Sequence, residues 1–384
     1  MTILSLGFRP FFIGAGLYAV LSIGLWMAVF LFSVPLPLKS VSIIEWHIHE
    51  MIYGYSIAVI AGFLLTAVRN WTGIQTLHGS GLLILLALWM LARITFSITA
   101  HIEVAGILDI AFMLMLLVSV SIPCIQAKQW QQLAILSTLL LLAAGNILFY
   151  LGAIGQLAQG VHWGLYGGLY LIVGLILIMA RRVVPFFIER GVGYPVTLFN
   201  AKWLDITSVV LFLGFFTSDV FLNTPHLSAW CAGGLFIVHT IRLVGWHTPG
   251  IWKAPLLWSL YISLVFIDLG LLLFVFSVYG NVPVSLALHA FSIGGVGLMT
   301  LSMMSRVTLG HTGRNVQSPP RAAAVALFLL VAAALVRVLL PLADMAHYTQ
   351  WIGLSQILWI AAFALFLVTY IPMLITPRVD GQPG

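Results

Sequence analysis

Twelve times along this chain a run of about twenty apolar residues recurs, the length at which a helix crosses the hydrocarbon of a bilayer. The windows fall at 10–33, 43–68, 80–99, 102–124, 131–152, 161–181, 203–221, 226–246, 254–279, 283–305, 321–342 and 350–373. Lipid offers backbone amides no partner, so segments of this kind must be helices that close their own hydrogen bonds. The rest of the chain agrees. Only 7% of its residues are charged, against roughly 25% in a soluble domain. The sequence therefore predicts an all-α, polytopic membrane protein of about twelve transmembrane helices, with the lipid bilayer as its solvent. The two longest connections, 182–202 and 306–320, are too short to hide a soluble domain, so residues 1–384 read as one transmembrane domain. The opening "MTILSLGFRPFF" leads straight into the first window and reads as a membrane helix rather than a removed signal peptide.

Charge sets an orientation. If the N-terminus is cytoplasmic, thirteen of the sixteen Lys and Arg residues fall in inner segments. Lys39 alone falls in an outer loop, and Arg93 and Arg337 lie inside windows. Cytoplasmic connections carry excess Lys and Arg, so the expectation is N-in and C-in. The net charge of +6 is explained by topology and needs no nucleic acid. Cys124 and Cys231 are too few for a disulfide framework, and this topology puts them near opposite faces.

Against that apolar background, "EWHIHEM" stands out. His47, His49 and Glu50 cluster at the outer start of the second window, beside Trp46. On a regular helix, residues three apart share a face whereas residues two apart do not. His47 and Glu50 then look one way with Gly54 a turn below, and His49 looks the other way along Tyr53 and Ser56. Two imidazoles so arranged serve two sites, or a ligand and its supporting partner; only an unwound start would let both grip one ion. His289 lies at comparable depth in the tenth window, six residues past Pro283. Gly294, Gly295 and Gly297 follow it, either for close helix packing or to make room for a flat macrocycle beside an axial histidine. Arg93, Asp109, Asp268 and Arg337 are ionisable residues inside windows, functional candidates by default. They pair with one another, hold haem propionates, or carry protons. With no CxxC or CxxCH motif, a metal here would be held by imidazole, which suits iron, copper or zinc.

Five stretches carry a family resemblance: "FRPFF", "WHIHEMIYGYSIAVIAGFLLTAVRNWTG", "PLLW", "HAFSIGGVGLMTLSMMSRVTLGHTGR" and "YIPMLITPRVDG". Together they resemble the NnrS family of bacterial inner-membrane proteins across essentially the whole chain. The resemblance implies a protein containing haem and copper, made in response to nitric oxide, that helps cells tolerate nitrosative stress. Carried onto matching positions, it points to His47, His49, Glu50, His289 and His311 as metal-site residues. Two positions depart from the pattern. Arg69 stands where the family usually has Pro, and Tyr261 replaces a common histidine, which puts a ninth-window ligand in doubt.

The leading expectation is thus a membrane protein with haem b and copper that binds or converts nitric oxide in the outer half of the bilayer. His289 would be one axial ligand and His47 or His49 the other, with Arg93 and Arg337 as propionate partners. The remaining second-window histidine, with His162 or His226, could carry copper, and quinol or a periplasmic donor would supply any electrons. Two other readings compete. One is a catalytic subunit like those of haem–copper oxidases or nitric oxide reductases, which also have twelve spans, although no adjacent His-His pair follows the seventh window here. The other is a metal-free small-molecule transporter.

Overall fold

The computed structural model describes residues 2–99 and 101–382. Among these residues there is no strand, and twelve helices are long and apolar enough to cross a membrane. They are α1 Phe8–Phe32, α2 Ile43–Thr72, α3 Gly79–Ile98, α4 Ile102–Gln126, α5 Trp130–Ala153, α6 Gly160–Gly191, α7 Lys202–Val220, α8 Pro225–Trp246, α9 Pro255–Tyr279, α10 Val284–His311, α11 Arg321–Ala343 and α12 Tyr348–Ile375. Each matches one predicted window. The largest difference is α6, which continues ten residues past the expected 181 to Gly191 and carries Pro185 inside it. That tail holds Arg182, Glu189 and Arg190, so a hydropathy window ends before the helix does.

Local chemistry places the helix starts. Ser42 and Glu45 form a capping box ahead of α2: Ser42 Oγ accepts from the Glu45 amide at 3.2 Å, and Glu45 Oε2 accepts from the Ser42 amide at 2.6 Å, meeting two otherwise orphaned donors. Pro225 and Pro255 open α8 and α9, where a missing amide hydrogen costs nothing. The outer surface is apolar, with Leu21, Ile107, Trp230 and Val368 exposed, as lipid contact requires.

The chain divides into two compact units. The first holds residues 1–172, 304–315 and 363–384, and the second holds 173–303 and 316–362. In the first, α1 and α4 both pack on α2, α3 packs on α4, and α4 on α5. In the second, α7, α8, α9, α10 and α11 pack in succession. The most enclosed helices are α2 and α10, with 83% and 67% of their most apolar windows buried against 28% for α1. Neither is a regular α-helix. Glu50–Ser56 in α2 and Ala290–Gly297 in α10 are π-helical, each beginning directly after a histidine, His49 or His289. Such wide turns concentrate at functional sites because they leave backbone carbonyls open and re-aim side chains.

Candidate functional site

In the first unit the π-turn of α2 begins at Glu50, which is buried in a cluster of side chains drawn from five helices. Glu50 Oε1 accepts from Arg93 Nη1 of α3 at 2.5 Å and faces His49 Nδ1 at 2.9 Å. Its other oxygen accepts from the Tyr18 hydroxyl of α1. The second guanidinium arm of Arg93 lies 2.5 Å from Asp109 Oδ2 on α4. That oxygen also accepts from Asn146 Nδ2 and the Tyr150 hydroxyl on α5, each at 3.1 Å. His49 Nε2 faces Asn146 Oδ1 at 2.9 Å, which ties α2 to α5. His49, Glu50, Asp109 and Asn146 are completely buried, and Arg93 is 2% exposed.

The surroundings are built to admit this cluster. Gly54 lies beside the Glu50 turn, and a Cβ there would stand 2.6 Å from the Tyr18 ring and 3.1 Å from the Arg93 Cδ. Glycine is what lets both side chains reach Glu50. The Gly54 carbonyl, inside the π-turn, accepts from Trp89 Nε1 at 2.9 Å. Aromatic rings then close around the imidazole. Phe149 stacks on His49 at 4.2 Å, and Phe96 meets it edge-on at 4.9 Å. Two carboxylates held in so dry a setting are stable only because Arg93 bridges them.

The sequence-predicted residues divide accordingly. His49, Glu50 and Arg93 come together, and the expected pairing of intramembrane charges is realised between Arg93 and Asp109. Arg93 is spent on that pair and on Glu50 rather than held open for a propionate. Both ring nitrogens of His49 face oxygen acceptors, so a metal would have to take its lone pair from one of those hydrogen bonds. His47 is outside the cluster, half-buried, with its ring stacked on Trp26 of α1 at 4.6 Å. Tyr18, Asn146 and Tyr150 were not singled out from sequence. Asn146 carried a usable signal, as a lone amide in the apolar run "LLLLAAGNILF".

His311 lies elsewhere in the first unit, 5.6 Å from the Phe8 ring and with Nε2 3.4 Å from Asn70 Nδ2. The positive charges of Arg378, Arg69 and Arg9 all act on it, an environment that repels a metal cation. In the second unit, His289 Nδ1 lies 2.6 Å from the Ser285 carbonyl. A donated Nδ1 hydrogen leaves the lone pair on Nε2, the arrangement that orients metal-ligating histidines. The glycines that follow open no space of their own. A Cβ on Gly294 would stand 2.2 Å from Phe266, on Gly295 2.6 Å from Ile267, and on Gly297 2.6 Å from Trp359; they serve close packing. Arg337 Nη2 donates to the Tyr348 hydroxyl at 3.0 Å, while its Nη1 is buried without a hydrogen-bond partner. Tyr261 donates to the Leu243 carbonyl at 2.9 Å, a structural use of the position where a histidine was expected. Among the described residues, no three His, Cys, Asp or Glu side chains converge as a ligand set.

No curated protein matches the sequence. The profile described as NnrS protein does match it, over residues 2–378. A match of that extent, running through both motif-bearing helices and both π-turns, makes this chain a member of the NnrS family.

Proposed function

We propose that this protein serves the response to nitric oxide in the bacterial cytoplasmic membrane, with both termini in the cytoplasm, holding haem b through His289. The observation that carries the proposal is the family match over residues 2–378. The geometry of His289 supports it, since an imidazole whose Nδ1 is tied to the carbonyl one turn back presents Nε2 in a fixed direction. Arg337, with one buried guanidinium nitrogen unmet, sits on α11, which packs against the His289-bearing part of α10. It is the residue of that unit suited to a propionate. Iron held there would supply a binding position for a small uncharged diatomic gas, which apolar helices admit freely.

Within the first unit, the Arg93 cluster keeps the histidine-bearing end of α2 rigid. His47 is the other imidazole at that end, stacked on Trp26. We assign copper no ligands: among the described residues no three His, Cys, Asp or Glu side chains converge. If nitric oxide is converted rather than only bound, the electrons come from quinol or a periplasmic donor.

His289→Ala tests the proposal. The variant is expected to insert at the wild-type level and to lose the haem absorption band together with its response to nitric oxide. A correctly inserted variant with a full haem spectrum would remove His289 as the ligand.

A further inference from the structure

The second unit carries an intramembrane carboxyl that the foregoing function does not use. Asp268 on α9 is 4% exposed. Thr240 Oγ1 of α8 donates to Oδ2 at 2.6 Å, and Oδ1 is buried with no hydrogen-bond partner. Within this unit, α9 packs against α8, α10, α11 and the turn Pro249–Lys253. Their charged and titratable side chains are His226, Cys231, His239, Arg242, Lys253, His289, Arg321 and Arg337, joined by Tyr261 and Tyr279 on α9 itself. Among the described residues none forms an ion pair with Asp268. An ionised carboxylate with one neutral hydroxyl for company is expensive in such a place.

A route leads toward it. A cavity of about 10 Å³ is lined by Leu177, Ala180, His239, Arg242, Trp246 and Leu264, the size at which a buried site begins to hold a single water. Leu264 lies four residues before Asp268 and so shares its face of α9. His239 immediately precedes Thr240, which holds the carboxyl. Arg242, one of the lining residues, and Arg181 both bind Asp205 Oδ1, through Nη2 at 2.9 Å and Nε at 2.7 Å. The Asp205 side chain is 35% exposed, so this cluster meets the outside. His239 Nε2 lies 3.1 Å from Ser208 Oγ. Polar groups therefore reach from the surface at Asp205 and Arg242 to a water-sized space and His239, and that space is lined on α9 by Leu264 and Ile267, the latter next to Asp268 in the chain.

We propose that Asp268 is a proton-accepting site reached from the Asp205 end of α7 and α8 through this cavity. A hydronium at the mouth passes its proton to a water in the cavity, and a local opening of α9 then brings that water to Asp268, whose Oδ1 is sealed from the cavity in this packing. Only O–H bonds are exchanged, water is left behind, and no electron moves. The site stands independently of haem; only the statement that the Asp205 end faces the cytoplasm would rest on the orientation proposed above.

Infrared difference spectroscopy of the full-length protein in lipid nanodiscs, on a pH step and on exchange into D2O, tests this. Wild type is expected to show a carboxylic-acid carbonyl band that shifts in D2O and is lost in Asp268→Asn. Ala180→Leu, which fills the cavity, is expected to keep the band and slow its deuterium shift several-fold. Identical difference spectra for wild type and Asp268→Asn would overturn the proton site. A shift as fast in Ala180→Leu as in wild type would overturn the route. Should Ala180→Leu not fold, Leu264→Phe fills the same space from α9. Since the band is read without haem, loss of the haem reading would leave this result intact.

Discussion

Replacing Arg93 by Met keeps the bulk of the side chain and removes the one cation that bridges two interior carboxylates. Glu50 and Asp109 each lie 2.5 Å from a guanidinium nitrogen, and all three side chains are 0–3% exposed. Removing one partner of a buried pair costs about 3–5 kcal/mol, because the remaining charge is left without compensation. Here two charges are stranded, so Arg93→Met should fall at the upper end of that range. The loss should be recoverable. Arg93→Met combined with Glu50→Gln and Asp109→Asn leaves no stranded charge and should regain much of the stability, whereas additive losses would make the triple variant the worst. Unfolding of the detergent-solubilised protein, followed by tryptophan fluorescence and compared as a mutant cycle, reads both quantities. A cost below about 1 kcal/mol, the range of an exposed ion pair, would refute the assignment of Arg93 as the bridge, and so would simple additivity of the three substitutions.

Other expectations follow from the same geometry. Gly54→Ala should lower the unfolding temperature by an amount equivalent to about 1–3 kcal/mol, the usual range for overpacking, because its Cβ meets Tyr18 at 2.6 Å; an unchanged transition would mean that Tyr18 is not held there. Gly294→Ala should be at least as damaging, with Phe266 at 2.2 Å from the new Cβ, and a co-substitution Phe266→Ala should relieve it; failure of that rescue would count against the packing role. At the C-terminus, the Arg378 guanidinium holds the Asp380 carboxyl down to about 2 from its ordinary 3.8. A depressed carboxyl stabilises above its unfolded value and loses that contribution as pH falls through the folded one. Protection of the amides around residues 378–381, taken relative to intrinsic exchange at each pH, should therefore stay constant above about pH 4 and fall as pH drops from there toward about 2. In Asp380→Asn the protection should already be low above about pH 4, and identical profiles for the two proteins would contradict the pairing.

Much of the architecture was legible in the sequence, for a plain reason. A bilayer admits few solutions, and twelve apolar windows leave little but twelve helices. The candidate site was legible only in its residue types. His49, Glu50, Arg93 and Asp109 could be picked out as polar groups in apolar runs, yet their meeting depends on how α2, α3, α4 and α5 pack. It also depends on a π-turn that moves Glu50 off the face a regular helix would give it. Tyr18 and Tyr150 resemble ordinary interfacial aromatics until Glu50 and Asp109 are seen to accept from them. The glycines after His289 could mean room or contact, and only the positions of Phe266, Ile267 and Trp359 decide for contact. Arg337 and Asp268 illustrate the converse, since spacing marks them as unusual but cannot say whether each finds a partner.

The most direct test of the functional account is a reduced-minus-oxidised visible spectrum of the purified wild-type protein, with iron analysis on the same sample and nitric oxide added afterwards. The account predicts a haem b spectrum with iron in proportion to protein, and a band that shifts when the gas is added. Folded protein, produced with haem available, that showed neither haem nor iron would contradict it and leave His47, His49 and His289 as structural residues of a metal-free membrane protein.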